Sequence, residues 1–372
     1  MKQQRLHIVC FDIPYPANYG GAIDVYYRIK ALHAAGIQII LHCTYKGDLT
    51  HYAELENLCE KVYYYSRTMS LIHLFSRLPL AVAGRPNKQI LDNLLKDDAP
   101  ILYEGLVSCG TMDAPELRKR QKFFRECNVE HDYYRALARA THSWYDRGYY
   151  RLEAHRLQRF EHVLTYATRI FALAHQDEAH FKAAYPFVPT TYLPCFHAHD
   201  KVNIPAGTGS GILYHGNLRV AENQKAANYI IREIAPLLAD IPVIIAGSEA
   251  NKLHPISNNV ILVPDPTDEQ LSALIQKAQV HLLVTFQATG LKLKLLNVLY
   301  EGRHVVCNPA MVCGTELGTL CHVVTDKNAF AQTCKALYHT SLTTTEQQHR
   351  EQQLQMFAPT YLINTLLQYV TT

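Results

Sequence analysis

Residues 5–45 read RLHIVCFDIPYPANYGGAIDVYYRIKALHAAGIQIILHCTY. The apolar run at 6–11 predicts a strand, and the Pro- and Gly-rich segment 12–21 predicts a loop. A helical pattern over 22–35 ends at a turn glycine, Gly36, and a second apolar run follows. Because strand, glycine-rich loop, helix and strand in this order form the βαβ unit of a doubly wound sheet, the stretch predicts an α/β fold.

The same alternation returns in the second half of the chain. GILYHGN (211–217) predicts a strand that ends in a glycine turn, and residues 223–239 predict a helix. PVIIAGS, NVILVPD, VHLLVTF and HVVCNP predict further strands; being apolar throughout, they indicate a parallel sheet covered on both faces. Turn residues at 198–211 mark a boundary. We therefore expect two Rossmann-like domains, 1–200 and 201–355, and a C-terminal amphipathic helix within 356–372.

Composition excludes several classes of protein. The chain has 372 residues, 48% hydrophobic and 19% charged, and a net charge of +3, too small to indicate a nucleic-acid partner. Its 10 cysteines contain no CxxC pair, which is typical of reduced thiols in a cytoplasmic protein. We expect no secretion signal and no membrane-spanning helix. There is no HExxH motif, and His197 and His199 lack an evident third ligand, so no metal site is predicted.

A cationic helix start is the most unusual local feature. Residues 289–306 read TGLKLKLLNVLYEGRHVV and predict a helix that begins at Thr-Gly, with Lys292 and Lys294 in its first turn. That end of a helix normally favours acidic residues, because the macrodipole is positive there. One explanation is a bound phosphate, held by backbone N–H groups and the lysines. The other is a pair of solvated surface lysines.

Taken in order, these segments resemble the GT-B glycosyltransferases, specifically the bacterial retaining enzymes of family 4, or group 1. The resemblance runs from IPYPANYGGAIDVYYRIKALHAAG, through ILYHGNLRVAENQKAANYIIREIAPLL, to TGLKLKLLNVLYEGRHVV, and the NVEHDYY segment is similar to a Bacteroidetes-type subgroup. It implies two Rossmann-like domains that face a cleft, an N-terminal one for the acceptor and a C-terminal one for a nucleotide sugar. It also implies a last helix that packs back on the N-terminal domain.

The resemblance also implies which residues hold the donor. The diphosphate would meet glycine loops and basic groups of both domains: Gly290, Lys292, Lys294, Gly216, Asn217, Arg219, Gly20 and Gly21. Lys292 is preferred over Lys294, since the two diverge on a regular helix. Thr289 and Asn297 stand where the family often has glutamates for the sugar and the ribose. The glycines could equally be plain turns.

Candidate acceptor-side residues lie in the first domain. His131 or Glu130, in NVEHDYYR, could orient the acceptor hydroxyl; alternatively, Asn128 caps a helix and His131 is exposed. Glu104 ends a buried strand and could be a base, or could simply pair with an arginine.

The implied activity is transfer of a sugar from a nucleotide-diphosphate donor to a glycan or lipid-linked acceptor, as in lipopolysaccharide, capsule or exopolysaccharide assembly. It needs no cofactor and no metal. RKRQKFFRE (118–126), with the apolar stretch 69–84, could place the enzyme peripherally at the inner membrane; the alternative is a solvated charge run.

Two other functions stay open. The chain could be a non-catalytic GT-B subunit that binds a nucleotide or a glycan, since both family glutamates are replaced. A Rossmann oxidoreductase is disfavoured, because DIPYPANYGG does not have the GxGxxG spacing.

Overall fold

The computed structural model describes residues 4–68, 70, 73, 76–141, 143–287 and 292–371. They divide into two units: Met1–His197 with Pro359–Thr372, and Ala198–Ala358. Each unit is built on one parallel sheet with helices on its faces.

In the first unit the sheet order is β3-β2-β1-β4-β5-β6-β7. The strands are β1 Arg5–Cys10, β2 Gln38–Tyr45, β3 Lys61–Ser66, β4 Ile101–Glu104, β5 Lys122–Arg125, β6 Arg169–Ala172 and β7 Thr190–Tyr192. The helices are α1 Gly20–Ala34, α2 Ala53–Leu58, α3 Leu80–Ala83, α4 Asn87–Leu94, α5 Glu130–Ala140, α6 Trp144–Phe160 and α7 His175–Ala184. A 3₁₀ turn, Glu161–Tyr166, follows α6.

In the second unit the sheet order is β10-β9-β8-β11-β12-β13. The strands are β8 Ile212–His215, β9 Val243–Gly247, β10 Val260–Pro264, β11 Val280–Leu283, β12 His304–Cys307 and β13 His322–Val323. The helices are α8 Ala221–Tyr229, α9 Asp268–Lys277, α10 Leu293–Glu301, α11 Pro309–Val312, α12 Lys327–Tyr338 and α13 Thr344–Leu354. After α8 the chain passes through a π turn, Ile230–Ile234, into a 3₁₀ turn, because Pro236 lacks the N–H that a regular helix needs.

The last helix, α14 Pro359–Val370, returns to the first unit and packs against α1. Its apolar side joins the core formed by β1, β2 and α1. The predicted α/β fold with a C-terminal helix that crosses back to the N-terminal unit is confirmed.

The first six strands of the first sheet follow the same order as the six strands of the second, and β7 extends the first sheet. In both, strand order reverses beside the first strand, between β1 and β4 and between β8 and β11. Connections leave such a point in opposite directions, which opens a crevice at the carboxyl ends of the strands where ligands bind.

The second half of the basic run predicted to rest on a membrane surface lies in the core, while Arg118 and Lys119 in its first half are exposed. Residues 122–125 of the basic run are β5, and Lys122 and Arg125 are buried. The Lys122 ammonium donates to the Met112 carbonyl at 2.8 Å, so its charge is satisfied inside the unit. Of the apolar stretch 69–84, residues 69, 71, 72, 74 and 75 lie outside the described residues, while Leu80 and Val82 are buried. Across the described ranges, no helix has both the length and the apolar character needed to cross a bilayer.

Candidate functional site

The crevice of the second unit begins where β8 ends. Gly216 follows the strand, and its N–H donates to the Ala246 carbonyl at 3.1 Å. A Cβ on Gly216 would lie 3.4 Å from the Lys294 ammonium and 3.3 Å from Cγ of Asn223. Glycine at this position therefore leaves the backbone open to the lysine, as the phosphate hypothesis requires.

Lys294 is the cation of this crevice with the best-defined surroundings. Its ammonium donates to Oδ1 of Asn223 at 2.6 Å and lies 5.1 Å from the centre of the Tyr214 ring. Burial, together with the neighbouring Lys292, lowers the pKa of Lys294 to about 8, and Glu222 opposes this shift. Because its nearest partners are neutral, the ammonium can still accept an anion.

Lys292 stands just before the helix rather than inside it. It is the N-cap residue of α10, which begins at Leu293, so the predicted start at Thr-Gly is wrong. No side chain caps this helix end among the described residues. Burial lowers the pKa of Lys292 as well, and Glu222 opposes that shift. Two partly buried ammonium groups therefore share one helix N-terminus, which favours an anion there. The predicted Thr289 and Gly290 lie outside the described residues.

Glu222 ties the loop after β11 to the start of α8. Its carboxylate accepts from the Thr285 hydroxyl at 2.9 Å and from the Phe286 N–H at 2.5 Å. Asn308 braces the same loop, since it accepts from the Thr285 N–H and donates to the Thr285 carbonyl. The two loops of the crevice are thus fixed to each other by charge-assisted and neutral hydrogen bonds.

Three other predicted donor residues have structural contacts. Asn217 shapes the loop after β8: its Oδ1 accepts from the Arg219 N–H at 3.1 Å and from the Ser248 hydroxyl at 2.7 Å. Arg219 is exposed, with Nε 3.4 Å from a carboxylate oxygen of Glu249. Asn297 lies on α10 and hydrogen-bonds to His199, an interaction that raises the pKa of His199 against the larger lowering effect of burial.

Gly20 and Gly21 are the first two residues of α1, not part of the loop before it. A Cβ on Gly21 would lie 2.9 Å from Cζ of Phe11, so close packing against that ring requires glycine here. The position follows β1, at the crevice of the first unit.

Glu104 pairs with an arginine, which was one of the two possibilities that the sequence left open. Its side chain is fully buried, and Arg28 donates to one carboxylate oxygen at 2.5 Å. Arg28 and Arg125 also pair with Asp24, so a buried network joins α1, β4 and β5. Burial raises the pKa of Glu104 to about 7 despite Arg28. Among the described residues, its second oxygen has no hydrogen-bond partner.

His131 is buried, so the alternative in which it is exposed and Asn128 caps the helix is wrong. Val129 is the N-cap residue of α5. His131 lies 2.8 Å from one oxygen of Glu161, and His180 lies 3.1 Å from the other. These ligand atoms lie within 4.8 Å of one another, a donor set that could hold a divalent cation. The hydrogen bonds already satisfy both carboxylate oxygens, however, so a cation would have to displace them.

Glu130 is half-buried at the start of α5, and burial raises its pKa to about 7, with Arg85 opposing the shift. The Arg85 guanidinium is 6% exposed and donates to the Phe11 carbonyl, just after β1, at 2.9 Å. Within the described part of the chain, its Nε and Nη1 have no partner. A carboxyl group that titrates near neutrality beside a buried cation is suited to proton exchange or polar recognition.

Sequence reasoning missed Tyr214, Glu222 and Asn223 in the second unit and Arg85 and Glu161 in the first. The signal for Glu222 and Asn223 was the ENQ sequence in the first turn of α8, shortly after the glycine turn. No local signal marks Arg85 or Glu161, because their partners are distant in sequence.

Part of the chain matches a known family, and the chain has a relative of similar length. Residues 209–340 match the family described as "Glycosyl transferases group 1". Over 351 residues the chain is 25% identical to an uncharacterized 44.6 kDa protein in the cps region of Klebsiella pneumoniae, with 88% of this chain and 89% of that protein covered.

Solved structures show the same fold at low identity. A glycosyltransferase from Rickettsia africae superposes with a TM-score of 0.65 at 11% identity, covering 100% of this chain and 98% of the other. A UDP-forming α,α-trehalose-phosphate synthase from Burkholderia xenovorans gives 0.61 at 11% identity, covering 99% and 100%. Residues 209–340 of the second unit are therefore similar to the group 1 glycosyltransferases, and the chain has the GT-B fold.

Proposed function

We propose that this protein transfers a sugar from a nucleotide-diphosphate donor to a glycan or lipid-linked acceptor during cell-surface polysaccharide biosynthesis. The group 1 family match supports the nucleotide-sugar donor. The relative from the cps region, a name that denotes capsule synthesis, supports surface polysaccharide as the product. Transfer would retain the anomeric configuration, as is usual in this family, and would take place at the cytoplasmic side.

The observation that carries the proposal is the Lys294 ammonium at the N-terminus of α10, opposite Gly216. Departure of a nucleoside diphosphate leaves negative charge on the β-phosphate, which must be neutralised as the glycosidic bond breaks. Lys294, with Lys292 beside it and the N-terminus of α10, would supply that charge without a metal ion. Asn297 and Thr289 would contact the ribose and the transferred sugar.

On the acceptor side, Glu130 would orient the acceptor hydroxyl; burial raises the pKa of its carboxyl group to about 7, so at neutral pH it can donate as well as accept a hydrogen bond. Glu104 is paired with Arg28, and His131 is paired with Glu161. We therefore propose that these two residues position neighbouring groups and do not themselves react. No protein nucleophile is proposed; a donor phosphate oxygen would take the acceptor proton.

The test is a thermal-shift panel of GDP, UDP, ADP and their sugars, with and without EDTA, on the wild type and on Lys294→Ala. We expect stabilisation by one nucleotide family that EDTA leaves unchanged. Loss of one charge-assisted contact costs about 2 kcal/mol, so Lys294→Ala should weaken binding roughly 30-fold. Lys335→Ala, an exposed lysine on α12, is the matched control and should bind like the wild type.

The outcomes separate the candidate functions. Binding of a nucleotide sugar followed by release of the free nucleotide, with any glycan acceptor, supports catalysis. Binding without turnover over a broad acceptor panel favours the non-catalytic subunit, for which the argument is that Thr289 and Asn297 replace the family glutamates in the sequence. No shift with any nucleotide would refute the donor site itself.

A further inference from the structure

Helices α5 and α6 form a hairpin that exposes an unusual amount of aromatic surface. Trp144 is 85% exposed, Tyr145 71% and Leu152 51%. A single exposed large apolar side chain is ordinary, but three on one helix indicate a contact surface.

These side chains follow one side of α6. Position 148 is three or four residues from each of 144, 145, 151 and 152, so these five positions share a face, while Glu153, Ala154 and Leu157 on the other side are buried. A Cβ on Gly148 would meet nothing within 4 Å, so no part of the described chain covers the middle of this face. We call Trp144, Tyr145, Gly148, Arg151 and Leu152 the aromatic face.

The aromatic face is cationic at its edges. Arg139 at the end of α5 and Arg147 and Arg151 on α6 are exposed. Asp146, the acidic residue in the first turn of α6, is half-buried. Its carboxylate stabilises the positive end of the helix, and its backbone N–H donates to the Ser143 hydroxyl. Three exposed guanidinium groups around a tryptophan and a tyrosine therefore dominate the charge of the face.

We infer that the aromatic face docks on an anionic lipid bilayer. Tryptophan and tyrosine favour the headgroup level of a membrane, because their rings are apolar while their N–H and O–H groups stay hydrated. Each arginine near a bilayer of anionic lipids gains electrostatic attraction, and Leu152 adds apolar burial. The inference is independent of the donor site, although a membrane surface would suit a lipid-linked acceptor.

The chain contains a single tryptophan, so its fluorescence reports on this face alone. The experiment adds vesicles of phosphatidylglycerol and phosphatidylcholine, or of phosphatidylcholine alone, to the full chain without nucleotide. We expect a blue shift of Trp144 emission and co-sedimentation with the anionic vesicles, both weakened in high salt. Brominated lipids should quench the emission.

Two double variants keep Trp144 as the reporter. The first, Tyr145→Ser with Leu152→Ser, removes apolar contact with the bilayer, and the second, Arg139→Gln with Arg151→Gln, removes positive charge. Each should lower the bound fraction at least fivefold. Phe187→Ser is the matched control, since Phe187 is 98% exposed elsewhere in the same unit and should not matter. Lys294→Ala should bind vesicles like the wild type, which separates this inference from the proposed donor site.

Several results would overturn the inference. Unchanged emission with anionic vesicles would do so, as would equal binding to phosphatidylcholine alone. A blue shift that depends on protein concentration without lipid would show that a second copy covers the face. A shift with soluble glycans but not with vesicles would assign the face to the acceptor instead.

Discussion

Lys294 makes the proposed donor site sensitive to pH. Its pKa of about 8 in the free protein means that part of the population is neutral in mildly alkaline solution. A bound diphosphate favours the charged form, so binding takes up a proton wherever the free lysine is neutral. Above pH 8 the affinity should therefore fall roughly tenfold per pH unit.

Calorimetry in buffers of different ionisation enthalpy measures this proton directly. We expect uptake close to zero at pH 7 and approaching one proton at pH 9. Lys294→Arg, which stays charged throughout this range, should bind without proton uptake. Uptake that persists in this variant would assign the titration to another group.

The sequence indicated the two lysines and led us to prefer Lys292, whereas the contacts of Lys294 with Asn223 and Tyr214 lead us to prefer Lys294. The spacing of the lysines identified a cationic helix start, and the glycine turn after β8 was visible as a pattern. The partners of Lys294 were not visible, because Asn223 and Tyr214 are 71 and 80 residues away. That contact exists only because the sheet places β8 beside β11, and local propensity contains no such information.

At the scale of elements, the strand β5 shows that a charged sequence can be buried although its composition predicts exposure. The run RKRQKFFRE has the composition of a surface, yet its second half is a central strand. Arg125 can be buried because Asp24, on α1, neutralises it. Since the partner lies 101 residues away, the run alone could not reveal burial, whereas the apolar strands were recognisable from their own residues.

The triad of His131, Glu161 and His180 joins α5, the turn after α6 and α7, and it predicts a pH window of stability. The pKa of Glu161 falls from 4.5 to about 2 through its hydrogen bonds to the histidines, which outweigh burial. A depressed carboxyl pKa contributes stability that is present above pH 4.5 and is lost as the pH falls towards 2. The pKa of His180 is raised above 6.5, so its contribution is present below 6.5 and is lost at higher pH.

Glu161→Gln should therefore destabilise the protein by about 3 kcal/mol between pH 4.5 and 6.5, and by less on either side. Urea unfolding at a series of pH values measures the difference. Glu178→Gln, which removes the ion pairs of Glu178 with the exposed Lys182 and His175 on α7, is the control and should cost under about 1 kcal/mol. An effect of Glu161→Gln that does not vary with pH would mean that packing, not charge, holds these elements together.

At the scale of the molecule, the end of the chain belongs to the unit in which the chain begins. The Gln4 side chain donates to the Thr371 carbonyl at 2.7 Å, and Leu362, Leu366 and Val370 are buried in the core of β1, β2 and α1. The amphipathic pattern predicted such a helix, and only the resemblance to GT-B enzymes predicted which unit it joins. A local pattern specifies an apolar face but not the surface that receives it.

This connection predicts that damage to the last helix unfolds the first unit selectively. Leu366→Ala removes a side chain that is 0% exposed and should cost the first unit about 2–5 kcal/mol. Tyr361→Ala, at a position 55% exposed on the same helix, is the control and should be nearly neutral. Hydrogen exchange followed by mass spectrometry should then show faster exchange in β1 and β2 and unchanged protection in β9. Equal loss of protection in β9 would contradict two separately stabilised units, and no loss in β1 would mean that α14 is peripheral to the first core.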